Sequence, residues 1–422
     1  MRIAMVLGLA GLCLLSPCGV ANSVADDARR NAGQQNEGAV TIMSGTTFDG
    51  HATIVRDLAA MLDDRQSLRV VPMIGQDPAQ TLKDVLFLRS VDLGITHSTV
   101  LNHFARTGEL GPIRERLVYV AKLFNEELHL LARADIATVQ ALNGKTVNVG
   151  REGSGTQIAA RILFEALGLQ VQEAQLDTAQ AVEALKSGDI DATILIGTTP
   201  IAGLAQLGPD SGLTFLPIPY SKGLEDDTYP SALTHDDYPA LIANGGRIDT
   251  VAICAVLVAP QDTANAEHQA KLGRFIGRFF STFDALQQAP NHPKWREVNF
   301  AATLEDWQRA PQAQAWIESA KSKAFAEARE RKSFKTFLTQ AGDVVSPDEV
   351  SEANQQKLFR AFKAWSKAQQ SNWSNQHTPN RSARTVTFKG GHRGTASVET
   401  RRHSGRDLAA RRATQCGLAA GR

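Results

Sequence analysis

Short apolar segments alternate with helical ones from residue 40 onward, which leaves few folds open to the chain. Apolar runs at 40–43, 68–73 and 92–96 have the length of buried strands, and a segment with helical spacing of apolar residues follows each of them. Two further strands are predicted near 117–123 and 128–132. Strands that alternate with helices form βαβ units, so we predict an α/β fold with a mostly parallel sheet.

The same pattern begins a second time after residue 144. Its predicted strands are 145–149, 169–176 and 191–196, and its predicted helices are 156–167 and 178–187. A last apolar strand at 253–259 follows a connection rich in Pro, Asp and Tyr, and it would return the chain to the first half. The sequence therefore predicts two lobes, with lobe I formed by 38–131 and 252–300 and lobe II by 132–251.

The last part of the chain has a different character. From residue 261 the pattern is mainly helical, and aromatic residues recur at helical spacing up to about residue 370, which is typical of core packing. We expect residues 301–372 to form a helical extension packed on lobe I. Residues 373–422 contain almost no large apolar side chain, so we expect a disordered tail.

Charge is distributed unevenly along the chain. The formal net charge is +1, but the tail is strongly basic and the rest of the chain is mildly acidic. The near-zero balance argues against a nucleic-acid-binding protein, and no nucleic acid is predicted as a partner. The tail itself is either an appendage without structure or a reading-frame accident, or else a segment that contacts an anionic membrane or nucleic acid.

The first 25 residues have the form of a secretory signal peptide. Arg2 supplies a positive charge, residues 3–15 are apolar or small, and residues 23–25 (Ser-Val-Ala) have the pattern of a cleavage site. The apolar run is shorter than the ~20 residues that a membrane-spanning helix needs. We therefore expect a periplasmic protein. The alternatives are a retained membrane anchor and a lipoprotein attached through Cys13 or Cys18.

Cysteine and histidine positions predict neither a disulfide framework nor a metal site. Only Cys254 and Cys416 lie beyond the leader, and Cys254 stands in an apolar run typical of a small buried side chain. His97 and His103 are six residues apart, which does not place them on one helical face. No metal and no cofactor is predicted.

Three turns rich in glycine and hydroxyl side chains each follow a predicted strand and precede a predicted helix. They lie at 45–47, 153–156 and 197–200. A helix start leaves backbone N–H groups unpaired and carries the positive end of the helix dipole, and glycines let an anion approach the backbone. We predict that the turns meet at a small anion in a cleft between the lobes. The alternative is that their hydroxyls only cap helices.

The residues around the second turn resemble the signature of the TAXI family, the extracytoplasmic solute receptors of TRAP transporters. The resemblance rests on 147–150, 153–156 and 163–168, and in the same order on 188–192, 228–230 and 251–260. It covers about residues 38–300. It implies a type II-like two-lobe periplasmic-binding-protein fold. It also implies that the protein captures a small organic acid, such as a dicarboxylate or an acidic amino acid, and delivers it to TRAP membrane subunits.

The first turn departs from the family pattern. Related receptors usually have a second glycine and an aromatic pair there, whereas this chain has Thr-Thr-Phe-Asp-Gly-His at 46–51. Asp49 would place an acidic group beside the anion, which suggests a ligand that also carries an amine. The predicted ligand-binding residues are Thr46, Thr47, Phe48, Ser98, Arg151, Gly153, Ser154, Gly155, Thr156, Thr198 and Thr199.

Two other functions stay open. The chain could report its ligand to a signalling partner instead of a transporter, or it could be a secreted serine hydrolase with Ser154 as nucleophile. The hydrolase is disfavoured because Glu152 replaces the first glycine of the Gly-x-Ser-x-Gly pattern. We expect a monomeric binding protein that is not an enzyme.

Overall fold

A computed structural model describes residues 38–45, 50–64 and 66–340, together with residues 356, 359, 360, 362 and 363. The predicted leader, the basic tail and most of 341–372 lie outside the described residues. The chain divides into two units, 1–329 and 330–422. In the second unit the rings of Phe359 and Phe362 each pack against Phe334, with centroids 5.3 Å apart.

Ten strands form one sheet. They are β1 Ala39–Ser44, β2 Arg69–Ile74, β3 Leu93–His97, β4 Leu117–Arg133, β5 Thr146–Asn148, β6 Gln172–Ala174, β7 Ala192–Gly197, β8 Leu213–Phe215, β9 Tyr229–Thr234 and β10 Arg247–Pro260. The strand order is β2-β1-β3-β10-β4-β7-β5-β6, with β8 paired to β4 and β9 paired to β10.

Ten α-helices accompany the sheet in the described part of the chain. They are α1 His51–Leu62, α2 Pro78–Phe87, α3 Ser98–Thr107, α4 Ile113–Arg116, α5 Gly155–Leu167, α6 Thr178–Ser187, α7 Ala202–Ala205, α8 Ala266–Ser281, α9 Phe283–Leu286 and α10 Pro311–Gln340. Short 3-10 turns occur at Val139–Leu142, Pro209–Ser211, Lys222–Leu224 and Pro293–Glu297. None of the described helices combines the length and the apolar character that a membrane crossing requires.

Two long antiparallel strands, β4 and β10, run through both halves of the sheet. The second half of β10 lies between β3, to which it pairs from Ala255 to Val258, and the first half of β4. Further along, β4 pairs with β7 from residue 127, and β10 pairs with β9 up to residue 252. The chain therefore passes from one half to the other near residue 126 of β4 and near residue 253 of β10.

Separate hydrophobic cores lie on each side of this crossing. Side chains alternate between the two faces of a strand. Along β10, Ala255 and Leu257 accordingly join one core, which includes residues of β1 and β3, and Val256 joins the core on the opposite face, which includes Met43 of β1. Beyond the crossing, Leu128 and Leu131 of β4 enter two other cores, built from 128–253. The predicted two-lobe α/β fold, type II-like, is thus confirmed.

The structure differs from the predictions in three places. The sequence predicts a mostly parallel sheet, whereas five of the nine strand pairings in the described residues are antiparallel, because the long strands β4 and β10 run against their neighbours. Residues 117–133 form one strand where two were predicted, and the register against β10 shifts twice, so β4 carries two bulges before Glu126. The connection predicted at 217–239 contains strand β9, which includes Pro230. Proline cannot donate a ladder hydrogen bond, and β9 is an edge strand that pairs with β10.

Candidate functional site

A cavity of about 260 Å³ lies between the lobes. Lobe I contributes Gln76, Asp77, Pro78 and His97 to its wall, and lobe II contributes residues from the starts of α5 and α6, from β7 and from Ile201. Pockets for drug-sized ligands measure roughly 300–1,000 Å³. The cavity therefore suits a somewhat smaller solute.

Three helices, α2, α5 and α6, begin at this cavity. Their caps are Asp77, Ser154 and Asp177, and the side chain of each accepts a backbone N–H of its own helix. Asp177 also forms a capping box with Gln180. The positive ends of the helix dipoles favour a negative group at such positions. Two of the three caps, Asp77 and Asp177, are themselves negative groups at these positions.

Asp77 also connects the lobes. Its Oδ1 accepts the backbone N–H of Gly155, the first residue of α5, at 3.2 Å. A Cβ at Gly155 would lie 3.2 Å from Cγ2 of Val100 and 3.4 Å from Cβ of Pro78, both in lobe I. The lobes therefore approach each other closely at the start of α5, and glycine permits that approach.

One basic side chain lies on the cavity wall. Arg151 is largely exposed, and its Nη2 lies 3.9 Å from Oδ2 of Asp177. At that distance the two charges interact without a direct hydrogen bond. The guanidinium thus keeps donors available for a solute.

The predicted ligand-binding residues have different surroundings. Arg151, Ser154 and Thr156 lie on the cavity wall. Gly153 donates its N–H to Oε1 of Gln157 at 2.8 Å, next to the wall. Ser98 is buried at the start of α3, and its Oγ has no hydrogen-bond partner in the described part of the chain. Thr46, Thr47 and Phe48 lie outside the described residues.

The third predicted turn is held by protein contacts. Thr199 donates its hydroxyl to Oε2 of Glu127. Thr198 lies so close to Gly50 that a Cβ on the glycine would be 2.3 Å from the Thr198 Oγ1. The helix after this turn, α7, has only four residues. These contacts join lobe II to the crossing strand and to lobe I.

Glu127 is the centre of a buried charge network. Both of its carboxylate oxygens accept from Nζ of Lys294 at 3.2 Å, and Lys294 also contacts Glu297 at 2.9 Å. Burial raises the pKa of Glu127, which the lysine only partly offsets. Burial also opposes the charge of Lys294, but the two carboxylates hold its pKa above its usual value. The network anchors the turn of Thr199 to β4.

A neutral histidine supports the same turn from behind. Nδ1 of His129 donates to the carbonyl oxygen of Glu127 at 2.9 Å, so its Nε2 accepts the hydroxyl of Tyr238 at 2.8 Å. The Tyr238 oxygen in turn accepts the N–H of Ile201, on the cavity wall. Burial lowers the pKa of His129 to about 4, which keeps this arrangement uncharged at neutral pH.

Two further histidines meet a buried carboxylate on the other face of β4. Nε2 of His51 and Nε2 of His97 each lie 2.8 Å from Oε2 of Glu126. All three side chains are almost fully buried, and His97 also reaches the cavity wall. Burial opposes the charge of Glu126, but the two imidazoles hold its pKa well below its usual range.

Ser154 lacks the surroundings of a nucleophile. Its Oγ accepts the N–H of Gln157 at 3.2 Å as a helix cap. Among the described residues no hydrogen bond joins this hydroxyl to a histidine or a carboxylate, and such a base is what activates a serine. The arrangement is that of a cap, which is one of the two roles that the sequence predicted for it.

The sequence prediction missed Asp77, His51, Glu126, Glu127 and Lys294. One signal was present, because Glu126 and Glu127 interrupt an otherwise apolar strand sequence, and carboxylates in such a position need partners. The other three residues gave no local signal. Their roles depend on contacts with residues at least 75 positions away in sequence.

Solved structures with a similar fold include several binding proteins. A protein from Bordetella bronchiseptica is 17% identical with a TM-score of 0.40, covering 63% of this chain and 76% of that one. An ancestral arginine-binding protein bound to arginine is 14% identical with a TM-score of 0.38, covering 59% and 96%. A substrate-binding protein of a Streptococcus pneumoniae ABC uptake transporter, with bound histidine, is 14% identical with a TM-score of 0.38, covering 62% and 93%.

The family comparison concerns the sequence itself. The sequence model of the NMT1-like family matches residues 80–293. The match begins in α2 and ends at the turn that carries Lys294, so it spans both crossing strands and all of lobe II. This chain therefore belongs to the NMT1-like family.

Proposed function

We propose that this chain is an extracytoplasmic solute-binding protein that captures a small organic acid and delivers it to a TRAP-type membrane transporter. The observation that carries the proposal is the cavity between two lobes that, in the described part of the chain, are connected by the two strands β4 and β10. A cavity in that position opens and closes as the lobes move. Membership of the NMT1-like family and the TAXI resemblance of 147–168 support the same role.

The wall chemistry favours an acid that also carries an amine. Arg151, the hydroxyl of Thr156 and the start of α5 offer donors for a carboxylate. Asp77 and Asp177 stand on the same wall and offer acceptors for an ammonium group. An acidic amino acid matches both sets better than a plain dicarboxylate does.

Contacts across the cleft explain how closure would be stabilised. Arg106 of α3 contacts Asp227 of lobe II at 3.1 Å, and Lys122 donates to the hydroxyl of Tyr229 at 3.0 Å. The hydrogen bond between Asp77 and Gly155 crosses the cleft as well. A solute that binds both walls shifts the equilibrium towards this closed arrangement by its differential affinity for it.

A ligand panel tests the proposal. We expect glutamate or aspartate at millimolar concentration to raise the melting temperature of the full chain by several degrees, since a ligand that binds only the folded state stabilises it by about 2.7 kcal/mol at 100 times its Kd. Succinate and 2-oxoglutarate belong in the same panel. If calorimetry detects no binding by any organic acid in a broad panel, the proposal is wrong.

One variant locates the site. Arg151→Gln should weaken binding at least tenfold, because it removes the basic group of the wall. The matched control is Arg247→Gln, which removes an exposed arginine paired with Asp249 outside the cavity. Equal affinity of the two variants would argue against the cavity as the binding site.

A further inference from the structure

The buried cluster of His51, His97 and Glu126 is built from three separate elements. His51 is the first residue of α1, His97 is the last residue of β3, and Glu126 lies on β4 after its two bulges. Both imidazole Nε2 atoms lie 2.8 Å from the same oxygen, Oε2 of Glu126. The three potential ligand atoms all lie within 4.8 Å of one another.

Among the described residues, the two histidines are the groups that compensate the charge of Glu126. Its ion pairs, among the described residues, are with the two histidines, and a histidine is charged only when protonated. Lys294 is engaged by Glu127 on the opposite face of the strand. An ionised carboxylate without exposure to water requires a positive partner, and a bound cation would supply one.

The surroundings also hold unused polar atoms. Oε1 of Glu126, Nδ1 of His97 and Oγ of Ser98 are buried, and none has a hydrogen-bond partner in the part of the chain that the structure describes. Buried polar atoms of this kind are rare in folded proteins. Three of them in one cluster indicate that it holds something that the described part of the chain does not provide.

We propose that His51, His97 and Glu126 form a binding site for a divalent transition-metal ion, and zinc is the ion used to test it. Two neutral imidazoles and one carboxylate are a ligand set that zinc and similar ions accept. Around a tetrahedral zinc with bonds of about 2.0–2.1 Å the ligand atoms stand about 3.3 Å apart. The two separations of 2.8 Å from Oε2 of Glu126 need shifts of a few tenths of an ångström, and all the ligand atoms lie within 4.8 Å of one another.

The place of the cluster gives the ion access to the cavity. His97 belongs to the cavity wall, and three protein ligands leave a fourth position for water or another small ligand. The spacing of His97 and His103 predicted no metal site, whereas the structure combines His97 with residues 46 positions before it and 29 after it. The metal site does not depend on the proposed function, because it would hold zinc whether or not an organic acid binds.

Zinc binding to the full chain tests the proposal. The protein is prepared without an affinity tag of histidines and is freed of metal with a chelator. We expect calorimetry to give one tight zinc site per chain in the wild type. In the double variant His51→Gln/His97→Gln, affinity should fall roughly 100-fold or more, beyond the 10–100-fold cost of losing a supporting contact. The glutamine amides still offer donors to Glu126, and the other eight of ten histidines remain.

A second double variant, His103→Gln/His235→Gln, removes two histidines outside the cluster and should bind zinc as the wild type does. If the cluster variant fails to fold, X-ray absorption of the wild type still tests the proposal. X-ray absorption of the zinc-loaded protein should show two imidazoles and a carboxylate oxygen around the ion. The proposal is wrong if the wild type binds zinc no more tightly than the cluster variant does, or if His103→Gln/His235→Gln loses zinc binding. It is also wrong if the X-ray absorption shows no imidazole bound to zinc. The cluster would then be a hydrogen-bonded histidine pair only.

Discussion

At the scale of single residues, burial decides which charges stabilise the fold. The side chains of Lys294 and Glu127 are 8% and 9% exposed, whereas those of Lys186 and Glu183 are 41% and 75% exposed at a similar distance. An exposed pair contributes about 0–1 kcal/mol because water screens it. Breaking a buried pair leaves one charge without compensation in a medium that solvates it poorly.

This contrast leads to a prediction for Lys294. Replacement by methionine should lower the free energy of unfolding by about 3–5 kcal/mol, because the buried carboxyl group of Glu127 would lose its charged partner. Lys186→Met is the matched control and should cost less than about 1 kcal/mol. Urea unfolding followed by circular dichroism measures both. Equal losses in the two variants would mean that the buried pair is no stronger than a surface pair.

A second residue, His268, gives the chain a pH-dependent contact. Its Nδ1 lies 3.7 Å from Oδ1 of Asp92. This carboxylate holds the pKa of His268 above its usual value, although burial opposes the shift. Burial likewise opposes the charge of Asp92, but contacts from His268 and Thr41 hold the pKa of that carboxyl below its usual range. The folded state therefore favours the charged form of both groups.

The sign of the effect follows from the raised pKa of His268. Its stabilisation is fully present below the unfolded-state value of about 6.5 and is lost as pH rises through the folded-state value. The melting temperature of the wild type should therefore exceed that of His268→Gln by at most a few degrees near pH 5.5, and the difference should shrink towards pH 9.

The control for this prediction has the opposite sign. Burial lowers the pKa of His103, so its protonation favours the unfolded state. The melting temperature of the wild type relative to His103→Gln should rise, not fall, as the pH increases. Thermal melts of both variants over the same pH series would contradict the argument if the two slopes had the same sign.

At the scale of elements, the start of α1 is placed against the turn after β7. Gly50 has φ of +86° and lies in lobe I, and the side chain of Thr198 in lobe II occupies the space where its Cβ would be. A side chain at position 50 therefore meets two separate obstacles. One is the backbone conformation, and the other is a clash that exists only when the lobes are closed.

Gly50→Ala should consequently hold the lobes apart. We expect the variant to bind its solute at least tenfold more weakly, because closure would force the new Cβ to 2.3 Å from Oγ1 of Thr198. Gly108→Ala is the control, since Gly108 has φ of +70° but open space around it. Both variants should lose about 1 kcal/mol of stability to the backbone conformation. Calorimetry that finds the same affinity in both would exclude the closure contact.

The sequence predicted those elements whose periodicity is local. The helix predicted at 156–167 is α5, Gly155–Leu167, and the strand predicted at 92–96 is β3, Leu93–His97. Strand β4 was predicted as two pieces because Asn125, Glu126 and Glu127 read as a polar break. Partners distant in sequence bury the two carboxylates and allow one continuous strand. No local pattern contains that information.

The candidate site could be predicted only in part for the same reason. Arg151, Ser154 and Thr156 line the cavity because they follow β5, at the carboxyl end where a ligand crevice forms. The hydroxyl of Thr199 instead contacts Glu127, and the wall of lobe I includes Asp77, which the sequence patterns do not single out. Which turns face each other across a cleft depends on how the lobes are placed, and one strand–turn–helix unit does not encode that.

At the scale of the whole molecule, the division of the cores predicts how the protein moves. Each lobe has its own hydrophobic clusters on both faces of the sheet, and few apolar side chains join the lobes. The lobes should therefore move as rigid bodies, and the change in backbone angles should concentrate where β4 and β10 cross, near Glu126 and Ile253.

A pair of fluorophores tests this motion. Cysteines placed at the exposed positions Gln66 of lobe I and Glu183 of lobe II should give a higher transfer efficiency when solute is added, because the lobes approach each other. Cys254 can remain, since it is buried and burial raises the pKa of its thiol to about 12, which keeps it unreactive. Cys416→Ser removes the cysteine of the tail, and Cys13→Ser with Cys18→Ser removes those of the predicted leader.

The control pair lies within one lobe. Dyes at Glu165 and Glu183, both exposed in lobe II, should report no change on binding, because α5 and α6 would move together. Gly50→Ala, combined with the pair across the cleft, should leave the efficiency low even at saturating solute. A solute that binds by calorimetry while the pair across the cleft stays unchanged would show that binding occurs without closure. In that case the two crossing strands would be a rigid connection and not a hinge.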